Sequence, residues 1–274
     1  MTHVSNTCFA IVTCCLERGR YDILKQVVDN IRSQAYFENI VDDIVVFDNA
    51  STAGNVPSLF HDFRHVYACS KNIGYWTALR WIAQRHVTIV GEKKFFYPIE
   101  SDCIHSDIDH LKECEAFLLS NTDVGMIRTQ EFIVAESHLY DKGKPSEHSR
   151  RYAWQSQVNR FRNDERIYFT HAEGKIYRTN FTAVVCGLAR VTDVVSALNV
   201  CASLKTMSEI DYQRWFDKYP ENALYDGGLF HSRLSLDDLS AVAGSRPWTH
   251  VQGYRPTQRD KIEPDNSFIV TRLV

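Results

Sequence analysis

The chain has 274 residues, of which 44% are apolar, with 31 Lys and Arg set against 34 Asp and Glu. That length and apolar content suit one large domain or two small ones with a real core. The net charge of −3 creates no global field toward nucleic acid or anionic membrane, although it permits a local basic patch.

In chain order, "CFAIVTCC" (8–15) reads as a buried strand. The stretch 21–34 spaces Ile23, Leu24, Val27, Val28 and Ile31 on one helical face, with Asp22 near its start. "DIVVFDNAS" (43–51) is a second strand running into turn residues, and "HVYACS" (65–70) a third. A helix over 75–86 is opened by Gly74, and "KFFYPIE" (94–100) is a fourth strand. The spacing of Ile108, Leu111, Glu115 and Leu118 predicts a helix over 107–120, followed by a fifth strand at 123–129. Residues 130–166 are polar and irregular. Beyond them, 166–181 reads as a hairpin turning at "EGK", 182–190 as a strand, and 191–204 and 208–219 as helices. A last short helix is expected at 235–244, with Ser235 and Asp238 as its capping pair and Gly244 as its C-cap.

No stretch reaches the ~20 apolar residues of a transmembrane helix. The opening "MTHVSNTCFAIVTCC" lacks the basic segment and cleavage site of a signal peptide. The eight cysteines, Cys8, Cys14, Cys15, Cys69, Cys103, Cys114, Cys186 and Cys201, form no C-x-x-C pair. Zinc-ribbon and thioredoxin-type chemistry therefore find no support, and reduced thiols in a cytoplasmic protein are expected.

Strand–helix alternation over the first ~130 residues predicts an α/β fold with a mostly parallel central sheet flanked by helices. No linker, repeat or low-complexity tract divides the chain, so 1–274 reads as a single domain. Its first part, 1–130, would bind nucleotide, and 131–274 would shape the acceptor side. Such sheets bind ligands at the carboxyl ends of their strands. Three polar clusters fall there: Thr13 with Glu17 and Arg18, Asp48 with Asn49, and Glu100-Ser101-Asp102.

The turn after the first strand, "TCCLERGRYD", holds a single glycine, Gly19. It is no G-x-G-x-x-G dinucleotide fingerprint, and no P-loop is present either. With no amide cradle for phosphate, the remaining device is a divalent cation held by carboxylates. Glu100 and Asp102, ending the fourth strand, suit that role.

The order of four segments resembles the nucleotide-sugar domain of the family 2 glycosyltransferases, which have the GT-A fold. These are "FAIVTCCLERG" leading to a helix, "DNAS" (48–51) as D-[DN]-x-S, "NIG" (72–74) as N-x-G, and "ESD" (100–102) in place of D-x-D. The resemblance implies that Thr13 and Asp48 contact the nucleoside, with Asp48 accepting from a base N–H, often uracil. Asn72 and Gly74, in the N-x-G segment that opens a helix, are assigned by the same resemblance to nucleotide binding. Asp102 matches the acid that binds the metal, Mn2+ or Mg2+, bridging the two phosphates. Glu100 stands where the family has its first Asp, one methylene longer, which leaves its contact open between ribose and metal.

Inverting transfer needs a carboxylate to take the acceptor proton. The family places it in an acidic motif opening a late helix, here "MSEIDYQRWF" (207–216). Glu209 and Asp211 are the alternatives, position favouring Asp211, with Arg214 as a phosphate partner. A histidine about 20 residues further on serves the family as a metal ligand. His231 in "LFHSRL" fits it, and His250 is the second choice. The resemblance thus implies a metal-dependent inverting glycosyltransferase, a hexosyl- or pentosyltransferase using a nucleotide-diphosphate sugar, most often a UDP-sugar.

The acceptor is open between a carbohydrate or glycolipid and a hydroxylated base in DNA. The DNA alternative draws on 142–178, where Lys142, Lys144, Arg150, Arg151, Arg160, Arg162, Arg166, Lys175 and Arg178 interleave with Tyr152, Trp154, Phe161 and Tyr168. Asp141, Glu147, Asp164, Glu165 and Glu173 offset part of that charge. A non-catalytic module of the same fold is the third alternative, motivated by Glu100 and by "SEID". Oligomeric state is not readable.

Overall fold

The computed structural model describes residues 5–34, 37–101, 103–104, 110–129, 140–141, 144–145, 168–180, 187–203, 206–207, 209–225, 232–233, 260–261, 263–264 and 266–273. Its centre is a ten-stranded sheet. In chain order the strands are β1 (Thr7–Thr13), β2 (Ile44–Asp48), β3 (His65–Cys69), β4 (Phe95–Glu100), β5 (Val124–Thr129), β6 (Phe169–Glu173), β7 (Ile176–Thr179), β8 (Gly187–Arg190), β9 (Glu221–Tyr225) and β10 (Val270–Arg272). Across the sheet the order is β10-β3-β2-β1-β4-β8-β5-β9-β7-β6. β1 to β4 are mutually parallel, and β8, β7 and β10 run against the other strands.

Continuous apolar runs build the parallel part because both of its faces are covered. All seven residues of β1 are buried. Its alternation divides them between two cores. Phe9 and Ile11 join Val46, Tyr97 and Ile99 on one face. Cys8, Ala10 and Val12 join Val45, Phe47 and Phe96 on the other. The first face is covered by α1 (Arg18–Ser33), through Ile23, Leu24, Val27, Val28 and Ile31, and by α3 (Leu111–Ser120), through Cys114, Phe117 and Leu118. The second is covered by α2 (Tyr75–Val90), α4 (Val191–Ser203) and α5 (Glu209–Phe216), whose contacts include Leu79, Ile82, Leu198, Tyr212 and Phe216. The expected α/β architecture of helices on both sides of a mostly parallel sheet is observed.

Three differences from the sequence expectations carry physical information. The helix expected to end at residue 86 continues to Val90, because Ile89 and Val90 pack on the core and override the strand preference of "VTIV". Gly91, at φ +83°, then stops it. The strand expected at 182–190 forms as β8, inserted antiparallel between β4 and β5. β9 and β10 were not expected at all. β9 is a short buried run without alternation, and β10 is an edge strand whose residues are mostly exposed. The helix expected at 235–244 lies outside the described residues. Among the described residues, no helix is long and apolar enough to cross a membrane, and Cys8, Cys14, Cys15, Cys69 and Cys114 are free thiols.

Candidate functional site

The parallel register brings the predicted polar clusters to one edge. Thr13 pairs with Asp48, Asp48 with Ala68, and Val12 with Glu100. Thr13, Asp48 and Glu100 therefore end adjacent strands at the carboxyl edge of the sheet.

Two turns close over this edge. In the first, Asp48 Oδ1 accepts the Ser51 N–H at 3.0 Å, an Asx-type turn in which Ala50 adopts φ +61°. Ser51 Oγ accepts the Cys15 N–H at 2.7 Å, and Cys15 O accepts the N–H groups of Thr52 and Ala53, both at 2.9 Å. The loop after β1 and the loop after β2 are thereby stitched together. Gly54, at φ +73°, lies against the Tyr21 ring, where a Cβ would collide with it. Glycine meets both the close approach and the left-handed backbone there.

The second turn is Asn72-Ile73-Gly74. Asn72 Oδ1 accepts the Gly74 N–H at 2.9 Å, and Asn72 Nδ2 lies 3.3 Å from Cys14 Sγ. Gly74, at φ +80°, is the N-cap of α2 and supplies no side-chain cap, so the positive end of that helix faces this edge. Asn49 joins the two turns. Its Oδ1 accepts the Ile73 N–H at 2.8 Å and its Nδ2 donates to Asn72 Oδ1 at 3.0 Å. Its own N–H donates to Thr13 O at 2.7 Å.

Asp48 is buried and has no ion pair among the described residues. Burial pushes its carboxyl above the usual Asp range, opposed only by the Ser51 hydrogen bonds. Thr13, also buried, has its hydroxyl 3.5 Å from Cys15 Sγ. Burial raises the Cys14 thiol to about 11, helped by Asp48 and Cys15 and opposed by Arg20. Arg18, expected in this cluster, lies along its own helix, 3.0 Å from Asp22 and over the Tyr21 ring.

The acidic helix α5 packs beside the second turn. Tyr212 stacks on Trp76, with ring centroids 5.3 Å apart and 27° between planes, and Trp76 lies two residues beyond Gly74 in α2. Asp211 therefore sits in the first turn of a helix docked against the start of α2. Its side chain is only 7% exposed, and Arg214, 68% exposed, approaches it at 3.8 Å. Glu209 begins the same helix, but its side chain lies outside the described residues.

Glu100 ends β4 half-buried. Asp102, His231 and His250 lie outside the described residues. The segments that follow the first two are joined, with Cys103–Ile104 pairing antiparallel with Ser232–Arg233. Among the described residues, no group of three or more His, Cys, Asp or Glu is placed to hold a metal ion.

Sequence reasoning singled out Asp48 in "DNAS" but left Asn49 and Ser51 without roles. An Asn at a strand end and another opening an N-x-G turn were the available signal, since an amide can bond a loop N–H and a second amide at once. The C-terminal stretch was missed as well. Glu263 donates its N–H to Thr77 Oγ1 at 3.2 Å and accepts from Lys71 at 3.0 Å, flanking the second turn.

The DNA alternative drew on residues that the structure partly locates. Arg178 is bound to Asp123 at 2.5 Å and Glu221 at 2.6 Å, and the Tyr168 hydroxyl donates to Glu221 at 3.0 Å. Asp123 and Glu221 stand at the starts of β5 and β9, so this cluster occupies the amino edge, opposite Asp48.

No protein-family profile matches the sequence, and no curated protein matches it. Among solved structures, GalNAc-T7, crystallised with UDP, GalNAc and Mn2+, superimposes with a TM-score of 0.52 at 10% identity, over 84% of this chain and 43% of that one. TarS of S. aureus gives a TM-score of 0.48 at 13% identity, over 86% of this chain and 38% of that one. Its fragment 1–349 with UDP gives 0.46 at 14%, over 85% and 62%. The chain thus spans less than half the length of GalNAc-T7. The architecture is that of the GT-A fold.

Proposed function

We propose that the chain is a metal-dependent, inverting glycosyltransferase that moves a sugar from a nucleotide-diphosphate sugar, with UDP as the first nucleotide to test. One observation carries this reading. On a GT-A sheet, the register sets Thr13, Asp48 and Glu100 at one carboxyl edge, under two turns bonded to each other. Asp48, ionised, has one oxygen committed to Ser51 and retains acceptor capacity for a base N–H. Thr13, Asn72 and Gly74 line the same site, and Arg214 is exposed and able to turn toward phosphate.

In the transfer step, the acceptor oxygen attacks the anomeric carbon while its proton passes to a carboxylate. The bond from that carbon to the diphosphate breaks, and the nucleoside diphosphate leaves. Asp211 is the proposed base, because its helix is docked beside the second turn through the Trp76–Tyr212 stack. Glu209 is the alternative on the same helix. When bound, a divalent cation, Mn2+ or Mg2+, would supply charge neutralisation at the diphosphate. Asp102 and His231 are its proposed ligands, with Glu100 beside them in sequence. The joining of Cys103–Ile104 to Ser232–Arg233 supports that pairing.

For the acceptor, the placement of Arg178 and Tyr168 at the amino edge favours a carbohydrate or glycolipid hydroxyl over a base in DNA. A nucleotide-sugar panel, read as released nucleotide with and without Mn2+, tests the whole reading. Release from one donor, lost with EDTA and abolished by Asp102→Asn in a protein that still folds, is expected. Donor release insensitive to EDTA overturns the metal dependence. No nucleotide-dependent rise in Tm with UDP, GDP, CMP or dTDP overturns the enzyme reading in favour of a non-catalytic module. Salt-sensitive binding to duplex DNA overturns the acceptor assignment.

A further inference from the structure

We infer that Asn49 is a positioning residue for the nucleotide, fixing the Asp48 turn relative to the Asn72-Ile73-Gly74 turn. The inference rests on the nucleotide-sugar reading above. Asn49 is 2% exposed, so it acts through its neighbours rather than by touching ligand. Its three bonds go to two other pieces of chain: its N–H to Thr13 O at the end of β1, and its Oδ1 and Nδ2 to the Ile73 N–H and Asn72 Oδ1 of the second turn.

Other side chains cannot replace it. Asp lacks the donor for Asn72, Ser and Thr are too short to span both partners, and Gln is a methylene too long. Each turn also has internal anchors that do not involve the Asn49 amide. Asp48 holds Ser51, Cys15 O holds Thr52 and Ala53, and Asn72 holds Gly74 and contacts Cys14. Loss of the amide therefore leaves each turn formed, with only the weak Asn72–Cys14 contact left among these side-chain bonds to hold the pair together. Ile73 is 1% exposed and packed in the core, so its N–H then lacks a protein acceptor in a dry place. The turn must shift to recover one. That shift separates the base-reading carboxylate from Asn72 and Gly74. A residue that served only the fold would lower Tm and leave the affinity of the folded molecules unchanged.

The test is UDP affinity with Mn2+, by titration calorimetry at a temperature where each variant is folded by circular dichroism. Wild type, Asn49→Ala, Asn49→Asp, Asn72→Ala and the double alanine variant are compared. Asn49→Ala is expected to weaken binding on the order of tenfold. The isosteric Asn49→Asp, which keeps the acceptor for Ile73 and loses the donor to Asn72, falls between it and wild type. It supplies the measurement should the alanine variant fail to fold. The double variant binds no worse than the weaker single one, because both residues belong to one network. Affinity within twofold of wild type for Asn49→Ala and Asn49→Asp overturns the inference. So does a double variant whose loss is the product of the two single losses. Where wild type binds GDP, CMP or dTDP in place of UDP, the same comparison is made with that nucleotide; absence of binding to all four overturns the nucleotide reading, and this inference with it. Binding by wild type that is matched by Asn49→Ala overturns the role of Asn49 alone.

Discussion

The two edges of the sheet treat buried charge in opposite ways. At the amino edge, the buried or half-buried charges of Lys93, Asp43, Arg190 and Arg178 are matched. Lys93 lies 2.6 Å from Asp43 and donates to Ser5 O at 2.8 Å. Arg190 donates to the carbonyls of Val124, Leu118 and Asn121 at 2.7, 2.6 and 3.0 Å. Thr7 donates to Glu115 at 2.5 Å, and Arg178 spans Asp123 and Glu221. At the carboxyl edge, Asp48 is buried against neutral partners only, its carboxyl raised by burial. Matching locks strands together, whereas an unmatched acid raises the energy of the empty site and leaves its capacity for a ligand. The amino edge serves the fold, and under the proposed function the carboxyl edge serves binding.

Removing one half of a pair at the amino edge gives the largest effect. The Lys93 and Asp43 side chains are 5% and 10% exposed, so Lys93→Ala leaves a carboxylate buried without its cation. The expected cost is about 3 kcal/mol of stability in urea denaturation at neutral pH, with UDP affinity of the folded protein unchanged. Burial already holds Asp43 above the usual Asp range, with Lys93 opposing the rise, and losing Lys93 raises it further. A carboxyl raised in the folded state contributes stability below its unfolded pKa and loses it as pH rises through the folded value. The defect should therefore shrink at acid pH. A loss of UDP affinity in the folded variant would break the division between the edges.

Asp48→Asn should do the reverse. It removes a buried charge, so stability holds or rises by up to about 1 kcal/mol, while UDP binding weakens about 10- to 100-fold with loss of a charge-assisted acceptor. In wild type, UDP affinity should fall as pH drops through the raised Asp48 pKa, because a protonated carboxyl donates where the base N–H needs an acceptor. The empty protein gains stability over the same range, since the raised carboxyl is then neutral. In Asp48→Asn both dependences flatten. Parallel loss of stability and affinity in that variant would place Asp48 with the amino-edge residues.

The same contrast explains what the sequence made legible. β1 to β4 and their helices were readable because burial on both faces writes long apolar runs and 3.6-residue periods into local sequence. The positions of Thr13, Asp48 and Glu100 followed, since a parallel sheet puts strand ends on one edge. β8 was readable as a strand but not as an antiparallel insertion, because its partners, β4 and β5, are chosen by tertiary packing. β9 and β10 were hidden for different reasons, one a five-residue buried run in a polar setting and the other an exposed edge strand. Arg178 looked like part of a basic-aromatic tract, and only the start points of β5 and β9 reveal it as an ion-pair hub. Asn49 stayed silent because its role is a pair of bonds to residues 23 and 24 positions away.

The smallest expected effect lies at Cys14, where the carboxyl-edge environment acts on a thiol. Burial raises it to about 11, Asp48 and Cys15 adding to the rise and Arg20 opposing it, so under about one part in a thousand is thiolate at pH 7.5. Iodoacetamide should label Cys14 in the native protein far more slowly than a free thiol, as mass spectrometry of the digested protein would show. Cys14→Ser should change folding stability and UDP binding free energy by no more than about 0.5 kcal/mol each, because Asn72 Nδ2, 3.3 Å from the sulfur, gains a hydroxyl acceptor in place of a weak one. Rapid labelling would mean that cations outweigh Asp48 at this edge. The opposition between the two edges would then fail where it matters for a nucleotide, since a site already matched with positive charge has no raised carboxylate to offer the base.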